Sequence, residues 1–222
     1  MERNILYLHG MGGGSDSRIP KILSECFAGK DLRVVARTYD FDPAVATGEI
    51  ARWTEELRPA VVVGESLGSV HALRIRGIPH ILVSPALGAP LFLSRLAWST
   101  RIPGVGALCG RIWKPREGDR QKLSFTAPVM KNYGPHLREA LRNTPSVGSG
   151  DYFFAFFGTR DHYRRSGVVS VSSWKKRFGA DSCLIYEGTH YMEEQHVRGL
   201  LAPAIERIAS EQNIDYLCQQ KL

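Results

Sequence analysis

The pentapeptide Gly64-Glu65-Ser66-Leu67-Gly68 follows the apolar run Ala60 to Val63 and precedes a helix-like stretch. A serine held on a sharp turn between strand and helix presents its hydroxyl at the carboxyl end of the sheet, and the flanking glycines leave room where the two elements approach. A hydroxyl is a poor nucleophile until a base takes its proton, and the base in turn needs a third group to orient it. If Ser66 is to attack a carbonyl, an acid and then a histidine are expected at the ends of later strands.

Asp161 and His190 meet that requirement. Asp161 comes after the run Tyr152 to Phe157 and the turn Gly158-Thr159-Arg160, and His190 after the run Ser182 to Tyr186 and Glu187-Gly188-Thr189. The plainer reading of Asp161 is a helix cap, and the nearest rival for the base is the adjacent His162. Among the other histidines, His9 is expected to shape its loop, His71 and His80 to pack or cap, and His136 and His196 to lie on helix surfaces.

A tetrahedral oxyanion needs two backbone N–H donors fixed in advance. Leu67, directly after the nucleophile, supplies one. The other is expected from the loop His9-Gly10-Met11-Gly12-Gly13-Gly14, on Met11, with Gly12 as second choice. The same glycines invite a dinucleotide reading, which fails where Ser15 stands in place of the third glycine and no acid ends the second strand.

Elements able to hold these loops recur along the chain. Strands are expected at Ile5 to Leu8, Arg33 to Thr38, Ala60 to Val63, His80 to Val83, Tyr152 to Phe157 and Ser182 to Tyr186, several of them continuously apolar as strands covered on both faces must be. Ile19, Ile22, Leu23, Cys26 and Phe27 share one helical face. A second helix starts with Asp42 as N-cap and Pro43 behind it, burying Ala46, Ile50, Trp53 and Leu57. A third is expected from Ser66 to Gly77. Strand and helix alternate, so the fold class is α/β: a doubly wound, mostly parallel six-stranded sheet in a single domain, 1–222.

Residues 86–150 break the rhythm, being far longer than an ordinary connection. They read as a helical lid inserted in the domain, or as extra helices packed on the sheet edge. In the lid reading, Leu91, Phe92, Leu96, Trp98 and Trp113 line an acyl pocket. The segment holds ten Lys/Arg against three Asp/Glu, while the rest of the chain is balanced, so the net charge of +7 is concentrated here. Such a segment could recruit an anionic substrate or an anionic membrane surface, or be an ordinary solvated face. Its basic residues are not interleaved with stacking aromatics, which argues against nucleic acid.

The run Ile5 to Leu8 is too short for a signal peptide or a membrane span, so a cytoplasmic protein is expected. Cys26, Cys109, Cys183 and Cys218 are scattered without C-x-x-C spacing, which indicates neither zinc nor a disulfide framework. Gln220-Lys221-Leu222 departs from a peroxisomal signal at its first residue.

With His9-Gly10-Met11-Gly12, Gly64-Glu65-Ser66-Leu67-Gly68, Gly158-Thr159-Arg160-Asp161 and Gly188-Thr189-His190, the chain from Ile5 to about Ile208 resembles the α/β-hydrolase superfamily. Its compact bacterial esterase-like members are the most similar, apart from 86–150. The resemblance implies a Ser66-Asp161-His190 triad, no metal and no organic cofactor. It implies a serine hydrolase acting on a small-molecule carboxylic ester or thioester through an acyl-enzyme. The competing expectation is a non-catalytic interaction protein on the same fold, docking through the basic segment.

Overall fold

The computed structural model describes residues 2–114, 117–145 and 150–210. Arg116 of the basic segment, Cys218 and Gln220-Lys221-Leu222 lie outside them. Six strands form one sheet: β1 Arg3–Leu8, β2 Leu32–Ala36, β3 Val61–Glu65, β4 Pro79–Val83, β5 Tyr152–Gly158 and β6 Cys183–Tyr186. Their order is β2-β1-β3-β4-β5-β6, and every neighbouring pair is parallel. The chain steps outward from β1 to β2, then returns past β1 to build the other side. That reversal opens a crevice at the carboxyl ends of β1 and β3, where ligands of such sheets bind.

Parallel strands need helices on both faces, and strand alternation shows how they are divided. Ile5, Tyr7, Val61, Val63, Phe154 and Phe156 point to one side, where they meet α1 (Arg18–Cys26) and the C-terminal helical segment. That segment runs from α8 (Glu194–His196) through a π-helical turn, Val197–Leu201, into α9 (Ala202–Ser210). Leu6, Leu8, Val62, Phe153, Ala155 and Phe157 point to the other side, into a core shared with α2 (Pro43–Leu57), α3 (Gly68–Ala72), α6 (Ala127–Ala140) and α7 (Val171–Phe178). Pro43 occupies the first turn of α2, and the Asp42 carboxylate accepts the Ala44 N–H at 2.9 Å as expected of its N-cap.

The helix after Ser66 is shorter than its sequence suggests. It ends at Ala72, and the next turn tightens into the bonds Arg74 N–H to His71 O and Ile75 N–H to Ala72 O. This lets Ile75 enter the core before Gly77, at φ +71°, turns the chain into β4.

Residues 86–150 contribute α4 (Ala89–Ser99), α5 (Val105–Ile112) and α6. Met130, Tyr133, Leu137 and Ala140 of α6 join the sheet core, and α6 packs against α4, α2 and α3. α4 turns Pro90, Leu93 and Ala97 inward and leaves Leu91, Phe92 and Trp98 exposed. Leu96 and Trp113 are partly buried against the core. Among the described residues no helix is long and apolar enough to cross a membrane.

Candidate active site

β3 delivers the chain to Ser66 in the left-handed region, at φ +51°. That conformation costs a non-glycine residue about 1–2 kcal/mol and needs support from its surroundings. Ser66 N–H donates to Val83 O of β4 at 2.9 Å, and Ser66 O accepts from Ser69 N–H at 3.2 Å and Ala86 N–H at 3.1 Å. On its far side Gly68 permits a contact no other residue could make: a Cβ there would lie 2.3 Å from Leu8 O and 2.4 Å from His9 O. The loop after β1 is thereby held against the turn that carries Ser66.

The residues expected to complete the site come together. His190 Nε2 lies 2.9 Å from Ser66 Oγ, and His190 Nδ1 lies 2.7 Å from Asp161 Oδ2. His190 and Asp161 are 3% and 4% exposed, so the chain of bonds is shielded up to the serine. Gly158 brings the loops after β5 and β6 together, since a Cβ on it would be 2.3 Å from Thr189 O. The two readings of Asp161 prove compatible, one for each oxygen: Oδ1 caps a single 3₁₀ turn by accepting Tyr163 N–H at 2.9 Å, and Oδ2 faces the histidine. Burial pushes the Asp161 pKa upward, but the hydrogen bond and charge of His190, with the Tyr163 N–H, outweigh it and hold the carboxyl below its usual range.

His162 does not reach the serine. Its ring centroid is 6.0 Å from that of His190, and it lies tilted against Tyr163 at 4.1 Å. Tyr163 and Tyr191 meet the His190 ring edge to face, at 4.6 Å and 5.3 Å between centroids. This aromatic collar limits where the imidazole can go.

Of the amides considered for an oxyanion, Gly12 is already committed, its N–H donating to Gln121 Oε1 at 3.1 Å, and Gly13 N–H donates to Gly10 O at 3.0 Å. Neither the Met11 nor the Leu67 N–H is spent on a protein acceptor among the described residues. Gln121 was not singled out by its sequence position. It is buried, its N–H reaches Gly13 O at 2.7 Å, and its side-chain amide donates to Tyr39 O and Asp40 O, both at 3.3 Å. One residue of the 86–150 segment thus fastens the glycine loop to the chain between β2 and α2.

His9 is fully buried with Nδ1–H on Gly10 O at 2.8 Å, and its ring stacks on Tyr39 at 4.2 Å and 8°. Tyr39 also donates its hydroxyl to the His9 carbonyl. The row continues through His71, 4.8 Å from Tyr39, to His136, 4.6 Å further. His136 is therefore buried, not on the surface of α6, because that side of the helix is the one pressed on α3. Burial lowers His9 to about 4, His136 to about 3, and His71 well below its usual range, so all three are neutral near pH 7. His80 packs at the start of β4 with Nε2 near Ala72 O, and His196 sits partly exposed beside Glu193. Among the described residues no cluster of three or more His, Cys, Asp or Glu side chains is arranged to hold a metal ion.

No protein-family model matches the chain. Over 87 residues it is 34% identical to aspartate–tRNA(Asp/Asn) ligases of Cereibacter sphaeroides, a stretch covering 38% of this chain and only 13% of theirs. Solved structures are similar over nearly the whole length. A monoacylglycerol lipase of Paleococcus ferrophilus is 20% identical, with 93% of this chain and 94% of that one covered and a TM-score of 0.60. Est1E of Butyrivibrio proteoclasticus is 14% identical, with 95% and 90% covered and a TM-score of 0.62. The mouse α/β hydrolase domain-containing protein 10 is 15% identical, with 98% and 91% covered and a TM-score of 0.61.

Proposed function

We propose that this chain, which has the α/β-hydrolase fold, is a serine hydrolase that cleaves a small-molecule carboxylic ester or thioester through an acyl-enzyme on Ser66. The observation that carries this reading is the unbroken line from Asp161 through His190 to Ser66, 2.7 Å and then 2.9 Å long, ending on a serine at positive φ. Each member comes from a different strand end, β3, β5 and β6, and no packing requirement needs all three polar groups at one point.

In the reaction, Asp161 Oδ2 accepts from His190 Nδ1–H, leaving Nε2 free to take the Ser66 proton as Oγ attacks the acyl carbon. The Met11 and Leu67 amides receive the developing oxyanion, and each such donor contributes about 2.7–4 kcal/mol of transition-state stabilisation. His190 returns the proton to the departing alcohol or thiol. Water, deprotonated by the same nitrogen, then releases the acid and restores Ser66. The basic segment 86–150, which begins at Ala86 beside the serine, favours an anionic acyl donor by its charge.

A fluorophosphonate probe tests the proposal directly. Folded wild-type protein labels and Ser66→Ala does not; a folded wild type that stays unlabelled favours the interaction protein instead. A panel of acyl esters and thioesters graded by chain length then assigns the substrate.

A further inference from the structure

α4, α5 and the turn between them expose large apolar side chains more densely along the chain than the other described residues do. Leu91, Phe92, Trp98, Ile102, Leu108 and Ile112 account for six of the nine exposed large apolar side chains, all within 22 consecutive residues. Trp98 is 72% exposed and Ile112 63%. The two helices are each properly amphipathic, with Pro90, Leu93 and Ala97 of α4 and Cys109 of α5 turned inward, so the apolar residues outside are additional to those the core needs.

The charges among them have one sign. Arg95 follows Phe92 and precedes Trp98 on the same side of α4, Arg101 adjoins Ile102, and Arg111 adjoins Ile112. From Ala86 to Lys114 the sequence has no Asp or Glu. Elsewhere some surface cations are paired, as Arg37 is with Glu56 and Arg198 with Glu25 and Glu194. Arg95, Arg101 and Arg111 form no ion pair with a described residue. Apolar side chains with an indole among them, interspersed with unpaired cations and no anion, are complementary to a layer that is hydrocarbon beneath and negative on top.

We propose that the α4–α5 face docks reversibly on an anionic phospholipid bilayer, the apolar side chains entering the headgroup boundary and the arginines meeting lipid phosphates and carboxylates. Helices of 11 and 8 residues cannot span the layer, so they would lie on it. This docking does not depend on the chemistry at Ser66: a Ser66→Ala protein docks as wild type does.

Sedimentation with vesicles tests it, using the full chain, pure phosphatidylcholine, and phosphatidylcholine mixed with phosphatidylserine. Wild type partitions onto the mixed vesicles, weakly onto the neutral ones, and is released by added salt. Replacing Arg95, Arg101 and Arg111 with Gln weakens partitioning roughly 100-fold. Phe92→Ser with Trp98→Ser abolishes it while leaving the thermal midpoint unchanged, since neither side chain is in the core. Protein that stays in the supernatant, or that binds both vesicles alike at any salt concentration, overturns the proposal. So does sedimentation equilibrium showing a lipid-free dimer that the Phe92/Trp98 variant dissociates, which would assign the face to a second copy of the chain.

Discussion

The ring of Tyr163 meets that of His190 edge to face, 4.6 Å between centroids and 73° between planes, while the backbone N–H of the same tyrosine holds Asp161 Oδ1 at 2.9 Å. One residue therefore contacts both His190 and Asp161, the imidazole through its ring and the carboxylate through its main chain.

Tyr163→Leu keeps the main-chain bond and removes the edge contact, so kcat should fall about 2- to 10-fold, the worth of an aromatic pair, with KM little changed. Tyr163→Phe retains the ring and should restore kcat. Steady-state kinetics on an activated ester measures both; a Leu variant equal to wild type would show that the collar does not hold the imidazole.

Gln121 is expected to matter to turnover although it is remote from the acyl carbon. Its Oε1 holds Gly12, next to the Met11 amide, and its buried amide group closes on Tyr39 and Asp40. Gln121→Ala leaves those groups unpaired, at a cost of about 1–3 kcal/mol seen as a lower urea midpoint, and lets the glycine loop drift. A drop in kcat with a parallel slowing of fluorophosphonate labelling, whose phosphonyl oxygen takes the place of the oxyanion, would locate the defect in oxyanion binding; unchanged kcat would remove Gln121 from the machinery.

The neutral histidines set the acid limit of stability. Burial moves His9 and His80 to about 4 and His136 to about 3, whereas each titrates near 6.5 in the unfolded chain. Below about pH 6.5 the unfolded state gains protons that the native state refuses. Stability is thus complete above that pH and is lost as pH falls toward 4, by about 1.4 kcal/mol per unit for each histidine. Urea melts between pH 7 and pH 4 should show that slope, and His136→Phe should flatten it. A flat profile in wild type would mean that the imidazoles are not buried neutral.

The sheet was legible in the sequence because its strands are covered on both faces and read as apolar runs, such as Val61-Val62-Val63. The candidate site was legible because Ser66, Asp161 and His190 each stand within a few residues of the end of an expected strand. The rest depends on long-range contacts. Nothing local marks Gln121, whose partner Gly12 is 109 residues away. His136 looks like a surface residue until α6 is laid on α3, and the end of α3 is decided by how Ile75 fills the core. For Leu91, Phe92 and Trp98 the sequence revealed helix and hydrophobicity but not the inward side, which Pro90, Leu93 and Ala97 had already taken.

Ser66 and His190 are 124 residues apart, beyond the ends of β3 and β6, which β4 and β5 separate, so their loops meet only across the full width of that half of the sheet. A chain holding only β1 to β4 would carry Ser66 with neither Asp161 nor His190 beside it. On the proposed reading such a fragment would not label with a fluorophosphonate, so the reactivity of Ser66 belongs to the whole sheet and not to the turn that carries it.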